Sequence, residues 1–528
     1  MPEMWWRVGS IYQIYPRSFQ DSNGDGIGDL EGIRRRLDYL VWLGVDAIWI
    51  SPFYPSPMHD FGYDVADYCG VDPIFGSLED FDRLIADAHA RGLKVILDFV
   101  PNHTSIEHPW FKESRDPRTR KRDWYIWRDG ALGGRPPNNW IGNFGGPAWT
   151  FDELGGQYYY HAFLPEQPDL NWRNPEVREA MHEALRFWLR RGADGFRVDV
   201  IWHLIKDKDF RDNPPNPAWT PKDPDIERLL QLHSADQAEV HGVFAGLRRV
   251  VDEFEDRVLI GEIYLPIERL VAYYGENLSG AHLPFNFQLL QTPWGASAIA
   301  KSIKDYEAAL PDGGWPNWVL SNHDRRRIAA RVGPAQARVA AMLLLTLRGS
   351  PTLYYGDKLG VGDVEIPPGG IRDPWALREP GLGVGRDPAR TPMQWDASIH
   401  AGFSTHEPWL PLTHDVKTRN VAEQGADQTS ILSLVRALLH YRRRRASLTL
   451  GAWRLIDCDG DLLAYERCSG EEQTIVVLNF GASPQLWPVP ALTAIRIAIS
   501  TQCDRHDEAV ESILRLRANE GVVLALTR

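Results

Sequence analysis

Residues 195–200 read Gly-Phe-Arg-Val-Asp-Val, a short apolar run that carries one guanidinium, Arg197, and one carboxylate, Asp199. Strand side chains alternate between faces, so two residues apart in sequence means one shared surface, and Arg197 and Asp199 lie side by side. Burying such a pair is costly, and taken alone it reads equally well as a structural Arg–Asp bridge. Three further runs have the same character. Residues 94–103 (KVILDFVPNH) carry Asp98 and end in Asn102 and His103, residues 257–264 (RVLIGEIY) carry Glu262, and residues 316–324 (PNWVLSNHD) end in His323 and Asp324. An apolar strand that finishes in polar residues is the product of a parallel barrel at its C-terminal rim, where active sites are built. Four such runs predict one shared site.

Outward from these runs, strands and helices alternate. Residues 11–19 and 45–51 read as the first two strands, with Ile33, Leu37, Leu40 and Val41 at helical spacing between them. Ser77 caps a helix whose inner face is Leu78, Phe81, Leu84, Ile85 and Ala88, with Gly92 beyond its end. The alternation breaks over residues 104–173, a Trp-, Gly- and Pro-rich stretch without sustained periodicity, which reads as a lid or small inserted domain. It resumes with Asn174 as a cap and Pro175 in the first turn of a helix. Residues 284–290 read as the sixth strand, 335–348 as an apolar helix, 351–357 as the eighth strand, and 360–426 as a second irregular excursion containing GRDPARTPMQWD. From about residue 448 the pattern turns to short alternating runs such as LLAYERC and TIVVLNF, a β domain of its own. The expected architecture is α/β: a (β/α)8 TIM barrel from residues 1–103 and 174–447, an inserted lid domain at 104–173, and a C-terminal antiparallel β-sandwich at 448–528.

A chain of 528 residues suggests two or three domains, and a net charge of −13 without a long basic run argues against a nucleic-acid partner. The one basic cluster, 442–445, closes a helix and reads as a solvated cap suited to the helix dipole. Cys69, Cys458, Cys468 and Cys503 show no metal-type spacing and read as free thiols. The opening MPEMWWRVGSIYQIYPRSF runs into a strand without a leader pattern, and no apolar run of membrane-spanning length is apparent, so a cytoplasmic protein with no membrane partner is expected.

The four runs around Asp98, Asp199, Glu262 and Asp324, taken in order, resemble the conserved regions of the α-amylase clan, the retaining α-glucoside hydrolases of glycoside hydrolase family 13. Retaining hydrolysis needs a carboxylate that attacks the anomeric carbon and a carboxylic acid that protonates the leaving oxygen. Arg197 beside Asp199 marks Asp199 as the ionised partner, and Glu262 in its apolar run suits the acid. The resemblance implies Asp199 as nucleophile, Glu262 as acid/base and Asp324 as the third carboxylate. It implies His103 and His323 as hydrogen-bonding partners of the same sugar ring, and it counts Arg197, Phe144 and Phe163 among the substrate-binding residues.

The loop HDFGYDVADY offers Asp60, Tyr63 and Asp64, with Tyr63 as a stacking platform. In exo-acting α-glucosidases of the clan the matching Asp, with an Arg from a motif like GRDPARTPMQW, closes the pocket over the terminal glucose. That implies Asp60 and Arg386, with Arg390 near enough to compete and a plain loop salt bridge as the alternative. Residues 21–29 (DSNGDGIGD) place oxygen donors at alternating positions, Asp21, Asn23, Asp25, the Ile27 carbonyl and Asp29, around permissive glycines. Gly32 stands where an EF-hand needs a bidentate Glu, which excludes that motif. The resemblance implies one structural Ca²⁺ here, an Asx-rich turn without metal being the alternative, and it implies no organic cofactor.

The expected activity is release of single glucose units from the non-reducing end of short α-glucosides, with a small oligosaccharide as partner and a monomer or homodimer as assembly. Val200, directly after Asp199, resembles α-1,6-acting members, and α-1,4 cleavage stays open. The alternatives are a transglucosidase or sucrose/maltose isomerase that uses the same intermediate, and, from another class, a non-catalytic amylase-like binding protein.

Overall fold

The computed structural model describes residues 4–489 and 495–526, so the first three residues of the opening segment lie outside it. Strands β1 (Ile11–Ile14), β2 (Ala47–Ile50) and β3 (Lys94–Phe99) precede an insert with β4 (Trp127–Arg128), β5 (Trp149–Asp152) and β6 (Gln157–Tyr160). After it come β7 (Gly195–Val198), β8 (Val258–Gly261), β9 (Leu283–Pro284), β10 (Asn317–Val319) and β11 (Ser350–Tyr354). Eight of these strands form one sheet in the order β10-β11-β1-β2-β3-β7-β8-β9, with every pairing parallel. The two edges meet through Asn286, which pairs with Trp318 and donates its N–H to the Asn317 carbonyl at 3.1 Å. The ring is therefore a closed barrel.

Alternation along the strands sets what faces in. Ile11, Ala47, Trp49, Ile96, Ile260, Leu283 and Val319 form one interior cluster, while Tyr12, Ile48, Val95, Leu97, Phe196 and Val198 join the larger core with the surrounding helices. Carrying the inward parity one step further puts Asp98 after Ile96, Arg197 and Asp199 after Gly195, and Glu262 after Ile260. The body of the barrel is mostly apolar, with Asn317 bonded to Thr352 inside it, and the charged side chains gather at its C-terminal rim.

Helices cover the ring where apolar spacing and caps predict them. Leu78–Ala90 begins with a full capping box, Ser77 and Asp80 each bonding the other's backbone N–H. Pro175–Arg190 is capped by Asn174 and buries Val177, Met181, Leu185 and Trp188. Val41 does not join the inner face expected of it and is exposed, because the first helical stretch breaks into Leu30–Arg35 and Leu37–Leu43.

Several strand expectations shorten. The sixth strand is only β9, and the chain turns at Asn286 into the helix Gln288–Gln291. The inward rings of Phe285 and Phe287 imitate strand alternation, but the Asn286 side chain accepts the Gln288 N–H at 3.0 Å and starts the helix. The stretch 104–173 does contain strands, a three-stranded antiparallel sheet in the order β4-β6-β5, too short for periodicity to reveal. One helix, Ile328–Thr346, is long and apolar enough to cross a membrane, contrary to the sequence expectation. It is broken at Gly333, where φ is +81°, and Pro334, and packs as a core helix whose Gln336 and Arg338 bond the carbonyls of Asn479 and Thr501.

Beyond residue 451 the chain forms β12 (Ala452–Asp459), β13 (Leu462–Ser469), β14 (Glu472–Asn479), β15 (Gln485–Pro488), β16 (Ile495–Ser500), β17 (Ala509–Val510), β18 (Ile513–Leu516) and β19 (Gly521–Leu526). They make a six-stranded antiparallel sheet, β12-β13-β14-β19-β16-β17, and a two-stranded one, β15-β18, with Trp487, Leu514 and Leu516 packed between them and the larger sheet.

The basic cluster corrects one expectation. Arg442 is not a solvated cap: its side chain is buried and donates to the carbonyls of Leu345, Leu347 and Gly349 at 3.1, 3.0 and 2.5 Å. It fastens the last barrel helix, Ile431–Arg443, to the turn that launches β11. Because buried carbonyls left without donors cost about 1–3 kcal/mol each, Arg442→Ala is expected to lower the thermal midpoint by several degrees. Circular dichroism melts of the two proteins check this.

Candidate active site

Arg197 lies at the centre of the rim with no exposed surface. Its Nη1 donates to Asp98 Oδ1 at 2.8 Å and to Asp199 Oδ1 at 2.8 Å. Its Nη2 stands 2.7 Å from Glu262 Oε2, an ion-pair contact not aligned as a hydrogen bond. Strands β3, β7 and β8 thus deliver three carboxylates to one guanidinium. Arg197 therefore does not face Asp199 alone, as expected of it, but shares its cation three ways. Burial, and then repulsion from Glu262, push the Asp199 carboxyl well up against the pull of Arg197. Burial pushes Glu262 up too. Both carboxyls are thus pushed up by burial, with one guanidinium between them to oppose it.

Val200 shows how the backbone completes the pair. This β-branched residue sits at φ +37°, ψ +48°, in the left-handed region that such residues rarely enter. The turn aims its N–H at Glu262 Oε2, 3.0 Å away. Strain of this kind persists where surrounding structure enforces it, and it clusters at functional sites.

Asp324 stands in a second cationic environment. Its Oδ1 accepts from Arg390 Nη2 at 3.0 Å and Arg386 Nη1 at 3.4 Å, and its Oδ2 lies 3.2 Å from His323 Nε2. Burial acts to raise this carboxyl, but His323 and the two guanidiniums hold it below the usual carboxylate range. Gln13 Nε2 donates to His323 Nδ1 at 2.8 Å, which leaves the proton on Nε2, 2.5 Å from Tyr63 Oη. Tyr63 in turn donates to Asp98 Oδ2 at 3.0 Å. His323 and Tyr63 therefore link the Arg197 cluster to Asp324.

The remaining expected residues gather on the same cavity of about 830 Å³, which Asp60, Tyr63, His103, Phe144, Phe163, Asp199, Glu262, His323, Asp324 and Arg386 all line. Arg386 Nη2 donates to Asp60 Oδ1 at 2.6 Å and to Asp373 Oδ1 at 2.6 Å, and its guanidinium lies 4.7 Å from the Phe144 ring centre. Phe163 packs between the rings of His103 and His203, at 5.2 and 5.6 Å. Asp64 does not face the cavity; it accepts the N–H groups of His59 and Asp60 and shapes its own loop.

The loop 21–29 is remote from this cavity. Asp21 accepts from the N–H groups of Asn23, Gly24 and Gly26, Asn23 from Asp25, Asp25 from Ile27, and Asp29 from Ser22 and Gly32. The donors suit a hard cation by type, with Asp21, Asn23, Asp25, the Ile27 carbonyl and Asp29 all supplying oxygen. Their carboxylates are turned onto backbone amides, and among the described residues no three His, Cys, Asp or Glu side chains are grouped to hold a metal ion.

Comparison with known proteins places this geometry. Residues 13–451 match the alpha-amylase catalytic domain. The chain belongs to the alpha-amylase family. It is a glycoside hydrolase. It is 42% identical to a probable alpha-glucosidase of Rhizobium meliloti (strain 1021), over 90% of this chain and 89% of that one. Among solved structures it is similar to the alpha-glucosyl transfer enzyme XgtA, with a TM-score of 0.94 and 40% identity over 99% of this chain and 100% of that one. It is also similar to the trehalulose synthase MutB from Pseudomonas mesoacidophila MX-45, with a TM-score of 0.92 and 33% identity over the whole of both chains. An amino acid transporter heavy chain of Rattus norvegicus is 38% identical over 97% of this chain and 78% of that one.

Within this alpha-amylase family site, sequence reasoning passed over several residues. Asp98 was noticed on its strand but not placed in the site, although its parity with Ile96 points inward. Asp373 comes from the long excursion after β11, where no periodicity assigns a direction; Arg390, named as a rival to Arg386, pairs with Asp324 instead. Tyr264, stacked on Phe287 at 4.1 Å and bonded to Asn322, carried no motif at all.

One consequence concerns stability. Asp199 and Glu262 have folded-state values above the unfolded ones, so their ionisation costs folding free energy as pH rises past the unfolded value near 4. Asp199→Asn is expected to raise the thermal midpoint at pH 7–8, by about 1 kcal/mol of stability, and to lose that advantage at pH 4–5. Melting curves across pH check the sign.

Proposed function

We propose that the protein is a retaining, exo-acting α-glucosidase that releases glucose from the non-reducing end of short α-glucosides. The observation that carries the reading is the Asp60–Arg386 ion pair, 2.6 Å long and buried, beside Asp324 on the cavity that Asp199 and Glu262 also line. An ion pair in that place ends the cavity where a polymer would have to continue, and so favours a terminal sugar.

In this mechanism Asp199 attacks the anomeric carbon while Glu262 gives its proton to the leaving oxygen, forming a covalent glucosyl-enzyme. Glu262, now ionised, takes a proton from water, which displaces Asp199 and releases glucose with retained configuration. The gap expected between the two carboxyl groups is ~5–5.5 Å, and a single guanidinium contacting both supports closeness of that order. Asp324, kept anionic by Arg386 and Arg390, is placed to stabilise developing positive charge on the ring and to accept from sugar hydroxyls. His323 and His103 border the same space. Val200 after the nucleophile favours α-1,6 linkages, with α-1,4 linkages also accepted.

A second reading, transfer of the glucosyl group to a sugar, is supported by the names of the two solved relatives, a glucosyl transfer enzyme and a trehalulose synthase. A non-catalytic role like that of a transporter heavy chain is disfavoured by the full set of Asp199, Glu262 and Asp324 around Arg197.

Incubation with maltose, isomaltose, sucrose and starch, with identification of every sugar formed, tests the reading. Glucose is expected from the disaccharides, and starch is expected to be the poorest substrate. Starch cut faster than any disaccharide would falsify the closed pocket, and new oligosaccharides at high substrate would favour transfer. Asp199→Asn is expected to lose about 10⁴-fold in turnover.

We also propose the loop of Asp21, Asn23, Asp25, Ile27 and Asp29 as the site of one structural Ca²⁺. Chelation is then expected to lower the thermal midpoint by a few degrees, with recovery on adding calcium. A melting curve indifferent to both would leave an Asx-rich turn.

A further inference from the structure

Beneath the insert lies a buried ionic chain that the mechanism above does not use. Lys206, in the segment after β7, is 1% exposed and pairs with Asp169, which has no exposed surface. Lys206 Nζ also donates to Asn102 Oδ1 at 2.9 Å. Asn102 Nδ2 donates to Asp169 Oδ2 at 2.9 Å and to His103 Nδ1 at 3.1 Å. His103 Nε2 lies 3.0 Å from the Tyr63 carbonyl, and Asp169 Oδ1 accepts the Ala162 N–H at 2.7 Å.

Donor and acceptor capacities determine every orientation in this chain. An ammonium only donates, so the Asn102 oxygen must face Lys206, and its amide nitrogen faces His103. Nδ1 of His103 must then present a lone pair. The Tyr63 carbonyl only accepts, so the single imidazole proton resides on Nε2. Gln167 Nε2 also lies 3.1 Å from that nitrogen, but with the Gln167 oxygen engaged by the Leu164 N–H it presents a donor to a donor, so the His103 proton goes to the Tyr63 carbonyl and the Gln167 N–H to Asp60 Oδ2 at 3.4 Å. The charged and titratable groups facing His103 are thus Lys206, Asp169, Asp60, Tyr63 and His203.

We propose that Lys206 is a positioning residue for the reaction: through Asn102 it holds His103 in one neutral tautomer at the edge of the cavity. Burial pulls His103 down to about 4, and of the charges around it Asp169 works to raise that value while Lys206 works to lower it. Removing Lys206 leaves Asp169 unopposed and frees the Asn102 amide to turn.

The proposal rests on the glucosidase reading of the cavity for its activity readout, so two measurements are made. The first is the pH dependence of kcat/KM, on a disaccharide that the wild type cleaves, for Lys206→Met and the charge-balanced Lys206→Met/Asp169→Asn. Lys206→Met is expected to move the acid limb up by roughly 1–3 pH units and to lose tenfold or more in kcat/KM at the acid end, and the double variant to return the limb to its wild-type position. The second is the imidazole titration of isotope-labelled histidine, assigned with His103→Gln, which needs no activity. Should Lys206→Met fail to fold, Asn102→Leu severs the relay with the ion pair intact; losing the amide N–H that holds the Nδ1 lone pair, His103 is expected to titrate above its wild-type value, by less than in Lys206→Met because Asp169 stays opposed. A His103 titration and an acid limb that stay at their wild-type values, with only the melting temperature lowered, would overturn the proposal. A wild type that cleaves no glucoside would sink the glucosidase reading and leave the imidazole result standing.

Discussion

One guanidinium, enclosed in the barrel rim and facing three carboxylates, is the constraint on which the site depends. Arg197 supplies a single positive charge to Asp98, Asp199 and Glu262, none of which can reach bulk water freely. A buried charge is tolerated only when paired and hydrogen-bonded, and here the pairing is one short of what full ionisation would need even after one acid keeps its proton. Proton sharing is the remedy available to such a cluster. The same shortage that strains the fold is what keeps a proton on the Asp199–Glu262 pair, poised for an acid-base role.

The second cationic centre is arranged the other way round. Arg386 and Arg390 together face Asp60, Asp324 and Asp373, and Asp324 is held anionic there. Asp373 is held low there too, while burial still pushes Asp60 up to about 6, so the contrast between the two clusters rests on Asp324. Their connection runs through the neutral side chains of His323, oriented by Gln13, and Tyr63, and ends on the Asp98 carboxylate, which accepts from both Tyr63 and Arg197. That chain couples the orientation of His323 to the Arg197 side without moving charge between the clusters.

How much of this could be read beforehand follows from where each residue sits. Asp98, Asp199 and Glu262 lie on or just beyond strands, where alternation carries direction, and Asp324 follows a strand by five residues. The barrel, its order and its helix caps were legible for the same reason: the 2.0 and 3.6 periods and the Ser77 and Asn174 caps are local signals. Strand ends were overestimated because Phe285 and Phe287 continue the alternation after the hydrogen-bond ladder has stopped. Arg386 and Arg390 were reachable through the GRDPARTPMQWD motif they share, but Asp373 lies in an aperiodic excursion, and nothing local shows that it pairs with Arg386. Arg442 was misjudged because a charge run on a helix end is read as solvated unless one knows that three carbonyls of a neighbouring turn point at it. The sharing of Arg197 was out of reach for a related cause: sequence shows that Arg197 is near Asp199, not that β3 and β8 bring it two further acids.

Lys206 fits the same logic at the edge of the cavity. Where Arg197 is outnumbered by acids, Lys206 meets Asp169 one to one, so that locality carries no surplus charge. A neutral imidazole beside a balanced pair needs no proton to compensate its surroundings, whereas one beside an unbalanced carboxylate would acquire a proton. A neutral His103 keeps both of its bonds, Nδ1 accepting from Asn102 and Nε2–H donating to the Tyr63 carbonyl, whereas an imidazolium would lose the first and with it the fixed orientation of the ring. Balance at Lys206 and imbalance at Arg197 thus serve one end: protons are held where bond breaking would use them and kept off the groups that would only orient the sugar.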